Sequence, residues 1–250
     1  MRRLFTLLLL LCFAVNAGMV NRTSRARNSD VLSFVVLDLK SDKAVSATGT
    51  WLDRSPSGND CVLSGDAAVT QGVGLVLDGD DWGTVAASAT LKVGATTDFS
   101  IAFWVNTSAS TGAAWAVLDY GDRSDAPGIL ARVGTDAEAQ SYVDDNVSQV
   151  NVGSTTNPSD ATWHHVAITY DRNGNIVSYI DGGASEDSTS MTAIGDLDTT
   201  DHDEWTIGRR WYSAAWGDYF SGTLDVIRFY NGVALSQALV QRVYDNGVHR

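Results

Sequence analysis

Basic charge is scarce in this chain: 17 Lys and Arg stand against 30 Asp and Glu in 250 residues, a formal net charge of −13. A surface of that sign repels phosphate backbones, which argues against nucleic acid as a partner. Glutamate is scarcer still, with Glu138, Glu186 and Glu204 the only three. The acids are therefore nearly all aspartate, a residue of turns more than of helix interiors. Cysteine occurs twice, at Cys12 and Cys61, too seldom for a disulfide scaffold. Long apolar runs are missing too. The longest, Leu4 to Val15, falls short of the ~18 residues that cross a bilayer as a helix, so no membrane span is expected. What is plentiful is glycine, at 23, and a hydrophobic fraction of 44%, enough for a sizeable core. That balance excludes a disordered chain and describes a turn-rich β protein.

The first residues read as a targeting segment. Met1-Arg2-Arg3, the apolar run and the small residues ending at Ala17 have the form of a secretory signal, residues 1–17, and an extracellular location follows from it. Cleavage there removes Cys12 and leaves Cys61 without an intramolecular partner, so the core alone must hold the fold. Residues 18–30, with Arg22, Arg25 and Arg27, are expected to form a flexible basic arm. No linker or internal repeat interrupts the remainder, and residues 31–250 are expected to be one domain.

Strand patterning dominates that domain. Phe99 to Val105 is apolar on both faces, as a central strand is. Trp163 to Tyr170 alternates, with Val166, Ile168 and Tyr170 on one side. Ile176 to Ile180 follows after Asn173-Gly174, a strong hairpin signal, and Thr223 to Tyr230 alternates again. Only the C-terminus looks helical: Ser236 can cap a short helix through Tyr244, with Leu239, Val240 and Val243 on one face and Gly247 beyond it.

These segments carry a resemblance. Leu75 to Trp82, Asp98 to Val105, Tyr179 to Gly182, Trp205 to Arg209 and Tyr219 to Asn231 are similar, in order, to the strands of laminin-G-like domains. Trp163 to Asp171 matches that family's Trp-His-His strand almost letter for letter. The resemblance implies an all-β fold, a concanavalin A-like jelly-roll sandwich of two antiparallel sheets with one short C-terminal helix. Fold alone does not imply function.

The resemblance also sets the chemistry to look for. β-Glucan-cutting members of the superfamily carry two glutamates on one strand, about 5 Å apart, for retaining hydrolysis. Glu138, Glu186 and Glu204 share no such strand, so the chain is expected not to be an enzyme. His164 and His165 are adjacent on a strand and face opposite ways. One is expected in the sandwich interior and the other on the sheet surface, both structural. Related jelly rolls hold a calcium ion through an aspartate at the start of the C-terminal strand and an early loop. Asp225 and Asp78 resemble those positions, so a structural calcium is expected there. The plainer alternative has both capping turns or meeting an arginine.

Residues Arg209 to Tyr219 depart from the family pattern. Trp211, Tyr212 and Trp216 stand there beside Arg209 and Arg210. Loop aromatics stack on sugar faces or fill partner pockets. The alternative is a lid folded back over the sheet. The polar loop from Asp119 to Asp125 could supply acceptors for sugar hydroxyls, and Asn21, Asn106 and Asn146 open glycosylation sequons. The expected function is a secreted, non-catalytic binding or adhesion module for a glycan or cell-surface glycoprotein. The expected ligand residues are Trp211, Tyr212, Trp216, Arg210 and Asp119. A coat or virion protein using the sandwich for assembly is the rival. Exposed aromatics beside polar acceptors favour the first, and large flat apolar patches the second.

Overall fold

The computed structural model describes residues 31–42, 49–108, 115–122, 124–133 and 138–247. The expected signal at 1–17, the arm at 18–30, Cys12 and the Asn21 sequon lie outside the described residues. Contacts divide the chain into residues 1–35 and residues 36–250. In the first, the Phe34 N–H donates to the Val31 carbonyl at 3.2 Å and closes a turn. The second holds the sandwich.

One sheet runs β14 (Ser185–Ser190), β13 (Asn175–Ile180), β12 (Trp163–Tyr170), β7 (Phe99–Asn106), β18 (Ser221–Asn231), β5 (Gly74–Asp78), β4 (Ala68–Thr70), and β1 (Val35–Leu39) also pairs with β18. The other runs β11 (Gln149–Gly153), β10 (Ala139–Asp144), β9 (Gly128–Val133), β8 (Trp115–Gly121), β15 (Trp205–Ile207), β6 (Trp82–Val85), β3 (Cys61–Ser64), β2 (Thr50–Trp51). Neighbouring strands pair antiparallel, as in β12 with β7 and β8 with β9. The period-two reading is correct in type and in face. Val166, Ile168 and Tyr170 join Phe99, Ile101 and Phe103 in the core between the sheets.

Aromatic contacts order the core. Phe99 stacks on its neighbour Tyr170 within the first sheet at 4.0 Å, and Trp205 meets Phe229 across the two sheets, edge-on at 5.1 Å. The Tyr170 hydroxyl and Ser141 Oγ, 2.8 Å apart, bridge the sheets. Burial pushes the Cys61 thiol up to about 12, so it sits in the core as a small inert apolar group.

The helix α1 (Gln237–Asn246) follows Ser236 as expected, and Val240 and Val243 are its buried residues. It covers the outer face of the first sheet, which is why β7 is apolar on both sides. Tyr244 stacks on Trp104 at 5.4 Å, and Ser100 Oγ donates to the Val233 carbonyl just before the helix. His165 belongs to this outer layer. It is buried beside Trp104 and Tyr244, and burial, with Arg228 nearby, lowers its pKa to about 3. The expectation of a histidine between the sheets is thus corrected: the buried one lies under the helix. His164 shares the core-side parity but sits at the strand end, with Nδ1 2.8 Å from Asp181 and Nε2 3.1 Å from Asp160. Burial opposes its charge, yet these two carboxylates win and raise its pKa.

Candidate functional site

The excursion between β15 and β18 begins where the chain passes from one sheet to the other. Its ends are clipped together: Gly208 N–H donates to the Val117 carbonyl, and Phe220 N–H to the Gly208 carbonyl at 2.8 Å. Gly208 has φ +89°, and a Cβ there would lie 2.6 Å from Leu77 Cδ1, so only glycine makes this corner cheaply. Between the clips, β16 (Arg210–Tyr212) and β17 (Ala215–Gly217) form a hairpin with Trp211 opposite Trp216. Its two-residue turn is Ser213-Ala214, both at positive φ (52° and 61°), the backbone of a primed turn without the usual Asn-Gly.

The end of β8 and the loop after it seat this hairpin; Asp119 to Gly121 lie in the strand and not in the polar loop expected from Asp119 to Asp125. Asp119 Oδ2 accepts the Trp211 N–H at 2.9 Å, and Asp122 Oδ2 accepts Trp211 Nε1 at 3.0 Å. Ser124 Oγ accepts the Ser213 N–H at 2.8 Å. Asp119 is 2% exposed. The expectation that it offers its carboxylate to a sugar is corrected: the group is buried and committed to the hairpin backbone.

The aromatic residues pack on one another in a strip. Tyr219 meets Trp82 edge-on at 6.2 Å. The Arg209 guanidinium lies 3.9 Å from the Trp82 ring and 3.7 Å from that of Trp216. Trp216 meets Trp211 at 5.1 Å, and Trp211 stacks on His202 at 4.2 Å. Tyr212 is the most exposed aromatic, at 45%, with Arg210 4.6 Å over its ring. Arg210 also pairs with Asp218 at 2.5 Å. Burial lowers the Arg209 pKa, while Tyr219 and Glu204 favour its charge. Trp82, His202, Arg209 and Tyr219 were not among the expected ligand residues. Trp82 and Tyr219 had been read as parts of strand motifs, and no sequence spacing links them.

A carboxylate cluster adjoins Trp82. Oxygens of Asp66, Asp78, Asp80 and Asp81 lie within 4.8 Å of one another. Asp81 is buried, and its Oδ1 accepts the Asp66 N–H at 2.8 Å. A hydrogen bond with Asp78, together with its charge, raises the Asp80 pKa, and burial raises that of Asp81. Hard, charged oxygens in this number suit calcium. Asp78 therefore fits the expected metal, in new company. Asp225 is not part of this group. Asp78 pairs with Ser221, whereas Asp225 lies further along β18 opposite Trp104. There it accepts the Ser41 N–H and Oγ–H, each at 2.9 Å, beside a bulge that holds Val226 at φ 48°. These bonds tie the segment after β1 to β18.

A groove of about 470 Å³ at this end of β18 is lined by Asn106, Thr107, Trp115, Ser221, Gly222 and Thr223, among others.

Residues 77–241 match a laminin G-like family model described as concanavalin A-like lectin/glucanases superfamily. The chain belongs to that superfamily. No curated protein matches it. Among solved structures, it is similar to domain 4 of AbnA, an extracellular arabinanase from Geobacillus stearothermophilus, in complex with arabinotriose. The identity is 18%, the TM-score 0.65, and the match covers 84% of this chain and 98% of that domain. The binding domain of Paraclostridial Mosquitocidal Protein 1 is 14% identical with a TM-score of 0.67, over 86% of this chain and 53% of the other. The receptor-binding domain of botulinum neurotoxin D gives 14%, 0.65, 86% and 53%. The chain spans about half the length of these toxin domains. At such identities the likeness shows the fold; the two toxin neighbours are binding domains.

Proposed function

We propose that this superfamily member is a secreted, non-catalytic carbohydrate-binding module that recognises its glycan at the aromatic strip. The observation that carries the reading is the strip itself: tryptophan rings joined through one guanidinium, with exposed Tyr212 at the hairpin and carboxylates to either side. Flat rings bind the C–H faces of sugars, and carboxylates accept their hydroxyl protons. The solved AbnA domain with arabinotriose supports a sugar ligand for this fold. The dispersion of the glutamates supports a non-catalytic role. Glu138 accepts from Gln140, Glu186 from Thr155 and Thr156, and Glu204 lies 3.5 Å from His202. Export rests on residues 1–17. Calcium held by Asp66, Asp78, Asp80 and Asp81 would brace the β5–β6 turn that carries Trp82.

Exposed large apolar residues among the described residues, such as Leu52, Val62, Val76 and Val147, fall on both sheets and in loops. That scatter gives the coat-protein reading no support. The test is a glycan array with the wild type and a Tyr212→Ala, Trp216→Ala double variant, with and without calcium. Binding by the wild type that the folded double variant loses is the expected result. A binding profile unchanged by the double variant, or no binding at all, would refute the assignment.

A further inference from the structure

We infer that the strip selects neutral glycans and turns away those carrying carboxylate or sulfate, an inference that rests on the carbohydrate-binding reading above. The argument is the state of its charges. An anionic sugar needs a cation with a free face or free N–H groups aimed at the ligand. Two arginines stand in the strip, and both are engaged, Arg209 through the faces of its guanidinium and Arg210 through an ion pair. Arg209 has its guanidinium 3.9 Å and 3.7 Å from two indole rings. Arg210 is paired with Asp218 at 2.5 Å and lies over Tyr212. No other arginine or lysine touches the strip rings among the described residues.

Acids, by contrast, border it on both sides. Asp201 and Glu204 flank His202, the last ring of the strip, at 3.8 Å and 3.5 Å, and the Asp201 side chain is 66% exposed. At the other end Asp81 precedes Trp82, beside exposed Asp66, Asp78 and Asp80, where a bound calcium ion would offset part of the charge, so the array is read in chelator as well. The whole chain adds its net −13 to this local field. Such carboxylates are acceptors for hydroxyl donors, which a neutral sugar supplies in plenty. They repel a uronate, sialate or sulfate, and they repel it less as salt screens them.

The experiment uses matched pairs on the full chain: lactose against sialyllactose, and galacto-oligosaccharides against oligogalacturonides. These sit within a wider array of neutral and acidic glycans, read at low and high sodium chloride. The neutral member should bind about tenfold more tightly at low salt, the size expected of one or two unscreened like charges, and the gap should narrow at high salt. The variant D201N/E204Q keeps an amide oxygen as acceptor at each position but removes both charges, so it should narrow the gap between the neutral and acidic member of each pair. Equal or tighter binding of the acidic members overturns this inference and leaves the carbohydrate reading standing. Arg123 lies outside the described residues, so Arg123→Ala is measured beside the wild type. Acidic glycans held by the wild type and lost by that variant would also overturn the inference and identify the cation responsible. Failure of every glycan to bind removes the carbohydrate reading and this inference with it.

Discussion

Arg209 is the keystone of the strip, and its removal tests whether the rings form one rigid unit. Its guanidinium lies 3.9 Å from the Trp82 ring and 3.7 Å from that of Trp216. A desolvated cation–π contact is worth about 2 kcal/mol and an exposed one about 0.5 to 1. Both rings are half-buried. Each contact therefore stands near 1 kcal/mol, and Arg209→Met should cost about 2 kcal/mol. Part of that loss is offset, because the buried Arg209 Nε has no hydrogen-bond partner and its desolvation cost disappears with the side chain. Arg209→Lys should recover little, since an ammonium cannot stack as a plane. Trp216→Ala also removes contacts to Trp211 and His202, so the single variants are not comparable. A double-mutant cycle isolates the pair. Urea unfolding followed by far-UV circular dichroism should give a coupling of about 1 kcal/mol between Arg209 and Trp216. Amide exchange at residues 210–217 should accelerate in both single variants if the hairpin loosens locally. A coupling within the roughly 0.3–0.5 kcal/mol of simple additivity would refute the sandwich as a structural unit.

The hairpin residues divide by burial. Tyr212→Ala should weaken glycan binding by about 2 kcal/mol, a hot-spot amount, and move stability by less than about 0.5. Trp211→Ala should cost about 2 kcal/mol of stability, because it strips a ring contact and a hydrogen bond from buried Asp122; matched unfolding curves would sink that division. Ala214→Gly should stabilise the turn by about 1 kcal/mol, since glycine accepts φ 61° without the alanine penalty, and a lower melting temperature would count against it. Calcium chloride should raise the melting temperature of the wild type but not of an Asp78→Asn, Asp80→Asn variant, as an ion bound only by the folded state requires. An unchanged wild-type curve removes the metal. His165, with its pKa depressed to about 3, stays neutral when folded and takes a proton when unfolded. Its stability is present above about pH 6.5 and is lost as pH falls, by about 1.4 kcal/mol per unit. His165→Phe should flatten that slope between pH 6.5 and 4.5 in paired urea titrations. His164 has the opposite sign. Its raised pKa stabilises at low pH and that gain fades as pH climbs, so Asp181→Asn should remove it.

Strands were legible from the apolar face that meets the core. Val166, Ile168 and Tyr170 announced β12 because they share that face, although the strand is buried on its other side as well. Apolar residues on both faces of β7 announced a central strand, and the structure adds the reason for its outer face, which α1 covers. Turn chemistry was less faithful. Asn173-Gly174 suggests a tight primed hairpin, yet the structure closes a wider loop there, with the Gly174 N–H on the Asp171 carbonyl and the Asp171 side chain accepting the Asn173 N–H at 3.0 Å. The two-residue primed turn is instead at Ser213-Ala214, where no local preference points to it. Tertiary contacts to Asp119, Asp122 and Ser124 impose it. The site residues illustrate the same limit. Trp211 and Trp216 stand out because they interrupt a family pattern. Trp82 and His202 do not, because their part depends on a sheet crossing that brings positions 82, 202 and 209 together.

That crossing also explains why the strip can be rigid on so small a hairpin. An isolated two-stranded ribbon is marginal in water. This one carries, besides, two non-glycine residues at positive φ. Strain of that kind persists only where the surroundings over-determine it. Here the surroundings are two buried aspartates, Asp119 and Asp122, holding the Trp211 main chain and side chain, and one guanidinium between two indoles. A further bond runs from the Ala116 N–H to the Asp218 carbonyl and secures the returning end. The anchors lie on β6, β8 and the loop after β8, parts of the sheet that have their own core contacts through Val85, Val117 and Tyr120. The sandwich therefore supplies order to the strip from beneath, and Tyr212 is left free of the core to meet a ligand. Rings ordered in advance would lose little entropy on meeting a glycan, which is the physical advantage the proposed site gains from being built this way.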